Sequence, residues 1–380
     1  MPLSPGTRLG HYDVTSLLGE GGIGGVSSAS TPVDTWRLTM KARLNRRIVH
    51  SALAVGIVLA AANVPVVGPH GRARAAGGME RPQLLRSIRS QTYAYKTVGD
   101  LQIKADVHRF DDDVVRPVVV WIHGGALMFG NRGGLFGISE MMLEAGYVVV
   151  SIDYRLAPET LLPSIIEDLE DALAWVRTRG RELFNADTSK IAVMGGSAGG
   201  YLTLMSGFRA EHRPTVLVSF WGYGDLVGDW LSQPSEHARH NRRQVSAEEA
   251  SAQVSGPPIS DARDRDGNGG TFYNYSRQNG LWPTEVSGWD PHTEAENFVP
   301  FMPVKNVTRD YPPTMLIHGT EDTDVPYEQS VMMAEQFKTH AVEHELVTIP
   351  GAEHGLAGGD PELVAKAYDD AVAWVNRYMR

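Results

Sequence analysis

The chain has 380 residues, no cysteine, and 45 acidic against 35 basic side chains, for a formal net charge of −10. The missing thiols exclude disulfides, thiolate catalysis and cysteine-based zinc sites. Residues 1–75 hold eight Lys or Arg and three acids, which leaves 27 basic and 42 acidic groups in 76–380; a body that acidic repels phosphate backbones and anionic lipid, so neither nucleic acid nor a membrane surface is expected as a partner.

Residues 1–39 contain PGTRLGHYDVTSLLGEGGIGGV, in which Gly19, Gly21, Gly24 and Val26 fit a G-x-G-x-x-G-x-V phosphate loop. The stretch looks like the opening of bacterial Ser/Thr protein kinases. No V-A-I-K lysine, H-R-D loop or D-F-G metal site follows, and a Gly-rich loop alone cannot hold ATP. It reads as a fused, disordered remnant, or as an untranslated extension with Met40 the true start. Residues 40–75 then carry Lys41, Arg43, Arg46 and Arg47 ahead of an apolar run from about Ile48 to Val67, and Ala73-Arg74-Ala75 supplies a small-x-small cleavage site. A signal peptide cut near Ala75 is expected, with export to the periplasm or beyond and no stable membrane insertion of the mature chain. The alternative is an uncleaved anchor, which His50, Asn63 and Pro65 weaken. If the segment is not used, the protein stays in the cytoplasm.

From Thr92 onward apolar runs alternate with helical periods. Thr92–Val98 and Leu101–Arg109 are expected to form an antiparallel hairpin around Gly99-Asp100. Val118–Ile122 is a continuous apolar run, as a strand buried on both faces requires, and Tyr147–Ile152, Ile191–Met194, Val216–Phe220 and Met315–Ile317 repeat that signature with only Ser151 and Ser219 interrupting it. Helices are expected over Ser164–Thr178, Tyr201–Phe208, Tyr327–Lys338 and Pro361–Tyr378. In the first, Ile165, Leu169, Ala172, Leu173 and Val176 make the buried stripe, with Glu167, Asp168, Glu170 and Asp171 outside it. Strand–helix alternation predicts an α/β fold over 76–380, a mostly parallel sheet with helices on both faces. Residues of about 222–312 break the rhythm, rich in Gly, Pro and aromatics, and are read as a cap inserted over the active site. A surface excursion with no part in substrate choice is the alternative.

Four motifs carry chemistry. Gly195-Gly196-Ser197-Ala198-Gly199 stands between a strand and a helix, the setting of a strained turn that exposes a serine nucleophile. His123-Gly124-Gly125-Ala126 follows another strand. Its Gly125 and Ala126 N–H groups, with that of Ala198, are candidate oxyanion-hole donors, Gly124 shaping the turn and His123 orienting the loop. His318-Gly319-Thr320-Glu321-Asp322-Thr323-Asp324-Val325-Pro326 offers acids after a further strand: Asp322 at the D-x-x-V-P position is the candidate triad acid, Asp324 the competitor, and Glu321 is expected to face solvent. Gly351-Ala352-Glu353-His354-Gly355 supplies the base, His354, completing the chain order Ser197, Asp322, His354. Asp153-Tyr154-Arg155-Leu156-Ala157-Pro158-Glu159 reads as a hydrogen-bonded scaffold behind the oxyanion loop. Asp264–Gly269 resembles the start of a calcium loop, but Tyr275 stands where the twelfth-position acid belongs, so it reads as a polar turn.

With these residues in place the chain resembles the α/β-hydrolase superfamily, and bacterial carboxylesterases in particular. H-G-G-A, D-Y-R-L-A-P-E and G-G-S-A-G-G resemble the hormone-sensitive-lipase-like branch. HGTEDTDVPYEQS and GAEHG are similar to the prolyl-oligopeptidase-like and feruloyl- or acetyl-esterase branches. The resemblance covers about 90–380. Gly196 replaces the Asp usual before the serine in the lipase-like branch, and Ala126 a third Gly. It implies a serine esterase acting on small-molecule, short-chain esters, carbohydrate acetyl groups among them, with no cofactor and no metal. A peptidase or amidase with the same triad, or a non-catalytic binding protein on the same scaffold, are the alternatives.

Overall fold

The computed structural model describes residues 87–133 and 137–380, together with a short pairing of Arg8–Leu9 with Tyr12–Asp13. The expected signal peptide, and all but those four residues of the kinase-like segment, lie outside the described residues.

The body opens with strands β1 (Ile88–Val98), β2 (Leu101–Phe110) and β3 (Arg116–Ile122). Helix α1 (Ile138–Glu144), strand β4 (Val148–Ile152), helix α2 (Leu162–Phe184), strand β5 (Ala186–Gly196), helix α3 (Ala198–Arg209) and strand β6 (Val216–Phe220) follow. The segment after β6 folds into five short helices: α4 (Asp229–Ser232), α5 (Ala247–Ser251), α6 (Gly270–Asn279), α7 (Trp282–Ser287) and α8 (Ala295–Phe298). The chain returns through β7 (Thr314–Gly319), α9 (Glu328–Thr339), β8 (His344–Ile349) and α10 (Pro361–Met379).

All eight strands join one sheet in the order β8-β7-β6-β5-β3-β4-β2-β1. β2 is antiparallel to both β1 and β4, and every other pairing is parallel. Because side chains alternate along a strand, the run Val118–Ile122 serves two cores at once. Val118, Val120 and Ile122 pack on the side covered by α2, α3 and α9, and Val119 and Trp121 on the side covered by α1 and α10. The α/β expectation of a mostly parallel sheet with helices on both faces therefore describes the structure.

Two details differ from expectation. Helix α2 runs on to Phe184, because Gly180 is accommodated inside it against Phe184 and Thr188 and the helix closes only at Asn185, in the left-handed conformation. Asp168 does not lie on the solvent side of that helix but is fully buried. One turn from Ile165 and Ala172, its carboxylate accepts from the Arg155 backbone N–H (3.0 Å) and guanidinium (2.7 and 2.8 Å) and pairs with Lys96 at 2.8 Å. A buried acid is tolerated where cations and donors meet it.

Candidate active site

The candidate residues collect at the carboxyl ends of the parallel strands, where loops leave the sheet on one side. Ser197 is the single residue between β5 and α3, and its φ of 57° and ψ of −121° are the strained backbone that so abrupt a reversal imposes. The turn is tightly enclosed: a Cβ on Gly199 would collide with the Ile122 carbonyl, and one on Gly195 with the Gly199 carbonyl. The Ser197 N–H is tied to the Phe220 carbonyl at 2.9 Å, so neighbouring β6 holds the turn in register.

Asp322 sits on the loop after β7 and His354 on the turn after β8. Nε2 of His354 is 3.1 Å from Ser197 Oγ, and Nδ1 is 2.8 Å from Asp322 Oδ2. The other Asp322 oxygen accepts the N–H groups of Asp324 and Val325, each at 2.9 Å. Burial pushes the Asp322 carboxyl up, yet His354 beside it and the His318 hydrogen bond hold it well below the usual carboxylate range. Burial likewise pushes His354 down, and the charges of Asp322 and Asp324 outweigh it, leaving its pKa raised.

Asp324, the competing acid, lies on the opposite side of the imidazole: its Oδ2 is 3.6 Å from Nε2 rather than near Nδ1. Glu321 is exposed. His318 carries no signal in the motifs beyond its place before a glycine, yet it is fully buried, and its Nε2 faces the Val325 carbonyl (3.0 Å) and Asp322 Oδ2 (3.3 Å). Its Nδ1 is 2.7 Å from Ser330 Oγ, so the Ser330 hydroxyl can donate there and leave Nε2–H for the acid loop.

The loop after β3 approaches the serine closely. A Cβ on Gly124 would meet the Gly196 carbonyl at 2.8 Å and Ser197 Cβ at 3.2 Å. Gly125 (φ 117°), Ala126 (φ 54°) and Leu127 (φ 61°) bend the loop back in succession, while the Gly125 carbonyl accepts from Met128 (2.8 Å) and Phe129 (2.9 Å). The Ala126 carbonyl is taken by the indole N–H of Trp282 at 3.0 Å, and no described backbone carbonyl takes the N–H of Gly125 or Ala126. Ala198 begins α3, where the first amides of a helix have no intrahelical acceptor. His123 is buried, holds the Gly124 carbonyl through Nδ1 (2.7 Å), stacks on Tyr154 (4.4 Å between centroids), and burial lowers its pKa to about 4.

Behind this loop the Asp153–Glu159 segment is hydrogen-bonded throughout. Tyr154 Oη donates to the His123 carbonyl (3.1 Å), and the Ala157 N–H to Leu127 (2.8 Å). Arg132 pairs with Asp153 at 2.5 Å. Glu159 binds Arg265, which also reaches the carbonyls of Ala157 (2.8 Å) and Met128. Arg265 is thus a buried tie between the insertion and the loop after β3, although the sequence around it reads only as a polar turn.

A family model described as BD-FAE matches residues 108–337, more than half of the chain. The chain belongs to the BD-FAE family. This BD-FAE member is 28% identical over 285 residues to esterase LipC of Mycobacterium tuberculosis, covering 72% of this chain and 63% of LipC. It is 26% identical over 316 residues to the non-reducing polyketide synthase atr1 of Stereocaulon alpinum, covering 73% of this chain and 12% of the synthase. The chain therefore spans a small part of the synthases it matches and less than two thirds of LipC. Among solved structures it is similar to Thermogutta terrifontis esterase 2 phosphoramylated by tabun, with a TM-score of 0.53, 20% identity, and coverage of 76% of this chain and 94% of that one. The BD-FAE member has the α/β-hydrolase fold of these esterases.

Proposed function

We propose that this protein is a serine carboxylesterase that hydrolyses short-chain esters, carbohydrate acetyl groups among them, through an acyl-enzyme. The observation that carries this reading is the unbroken line of hydrogen-bonding atoms from Asp322 through His354 to Ser197. In it His354 takes the Ser197 proton as Oγ attacks the ester carbonyl, and Asp322 keeps Nδ1 protonated and stabilises the imidazolium. The N–H groups of Gly125, Ala126 and Ala198 receive the oxyanion, with Gly124 fixing the close approach of their loop. The proton on Nε2 passes to the leaving alcohol, and His354 then activates water to release the acid. The names of esterase LipC and Thermogutta terrifontis esterase 2 support ester chemistry, and a further structural neighbour is a carbohydrate esterase from gut microbiota (TM-score 0.52, 19% identity). The insertion between β6 and β7 acts as the cap, since Trp282 and Arg265 from it grip the oxyanion loop.

The test is turnover of nitrophenyl esters from two to twelve acyl carbons by the wild type and by Ser197→Ala, with organophosphonate labelling of both. Hydrolysis confined to short esters, with turnover and labelling lost in the variant, is the expected result. Full activity in Ser197→Ala overturns the serine mechanism, and a maximum at long acyl chains overturns the substrate class. Export belongs to the same reading: the amino terminus of protein recovered outside the cytoplasm should begin near Ala76, and recovery of a chain still holding Met40 would count against cleavage.

A further inference from the structure

The proton-transfer nitrogen of His354 faces a second carboxylate. Asp324 has an asymmetric environment: Oδ1 receives Tyr273 Oη, His240 Nε2 (2.8 Å) and Arg277 (3.1 Å), all from the insertion. No described donor lies within hydrogen-bonding distance of Oδ2, which is 3.6 Å from His354 Nε2 and 3.8 Å from Arg239. Three donors hold the group ionised and fix its direction, so the second oxygen faces the catalytic nitrogen without being consumed by another bond.

We propose that Asp324 is a positioning residue for His354, a carboxylate aimed at Nε2 that strengthens it as the base acting on Ser197. The inference rests on the serine esterase reading and deepens it. While His354 is neutral, Nε2 has its lone pair on the Ser197 side and no proton to offer Oδ2, so the two do not attract. Once Nε2 holds the Ser197 proton, the N–H and the carboxylate do attract, so Asp324 favours the state that forms as Oγ attacks. Asp322 acts on the same imidazole from Nδ1. The other ionisable groups around the ring and around Asp324 are His318, His240, Arg239, Arg277, Tyr273 and Glu353; Arg239 is itself paired with Glu353 at 2.7 Å, which leaves its charge partly spent. Burial lowers the His240 pKa, outweighing the pull of Asp324.

The experiment measures the His354 pKa in two independent ways, by the acid limb of kcat/KM on nitrophenyl acetate and by proton NMR titration of the imidazole, in wild type, Asp324→Asn and Tyr273→Phe. Asp324→Asn should lower both midpoints by about one to two pH units, the range an opposite charge at this separation exerts. Tyr273→Phe, which loosens the anchorage and keeps the carboxylate, should leave them within about 0.3 unit, a small fraction of that range. Superimposable profiles for Asp324→Asn and wild type overturn the proposal, as does an equal drop in both variants. Where Asp324→Asn does not fold because Arg277 is left unpaired, Arg277→Gln/Asp324→Asn removes that buried cation and should show the same drop. The NMR midpoint needs no turnover, so a failed esterase reading and a failed Asp324 proposal give different results.

Discussion

Burial alone would weaken His354 as a base, but the flanking carboxylates of Asp322 and Asp324 raise its pKa above the ordinary 6.5. On the proposed mechanism the neutral imidazole is the working form, so activity should be complete above that raised pKa and be lost as pH falls through it. We expect kcat/KM to fall about tenfold per pH unit on the acid side, with the midpoint above 6.5; a rate flat to about pH 4 contradicts a histidine base. His318 acts one step further back, fixing the Asp322 loop between β7 and α9. His318→Phe should lower kcat/KM by about ten- to a hundredfold with little change in KM, since a misplaced acid disturbs the geometry of proton transfer more than binding. The serine, acid and base candidates were legible because each needs distinctive neighbours, glycines around tight turns or a strand just before. His318 and the partners of Asp324 were not, because their meaning lies in contacts from far along the chain: His240 is 84 residues from Asp324 and Arg277 is 47.

Among the elements, strands were easiest to read where both faces are buried, since Val118–Ile122 of β3 and Val148–Val150 of β4 are apolar runs with nothing to compete for another assignment. β5 was expected over only Ile191–Met194 because its first half, Ala-Asp-Thr-Ser-Lys, has the composition of a turn; pairing of Arg116 and Pro117 with Ala186 and Asp187 extends it. Apolar periodicity alone does not reveal the buried Asp168, although its position one turn from Ile165 and Ala172 puts it on the same face. Its removal leaves Arg155 with a lost partner inside the fold, so Asp168→Ala should cost about 3–5 kcal/mol in urea unfolding. A cost below about 1 kcal/mol would mean that Arg155 and Lys96 find solvent instead.

At the scale of the molecule, residues 76–380 hold 42 acidic and 27 basic side chains, a net negative charge. An ester bearing a carboxylate on its acyl part should therefore be used less well than a neutral ester of equal length. That handicap should shrink several-fold between about 10 and 200 mM salt as the Debye length contracts; measured kcat/KM ratios independent of salt would place the discrimination in direct contacts. The distribution of the site along the chain has a consequence in time. Ser197 stands on the turn between β5 and α3, whereas His354 lies 157 residues later, after the insertion and β8. At about 5–20 residues per second the ribosome makes Ser197 roughly 8–30 seconds before His354. On the proposed triad an emerging chain therefore carries a shaped serine that waits for His354, and the insertion and β8 must be made before the two can meet.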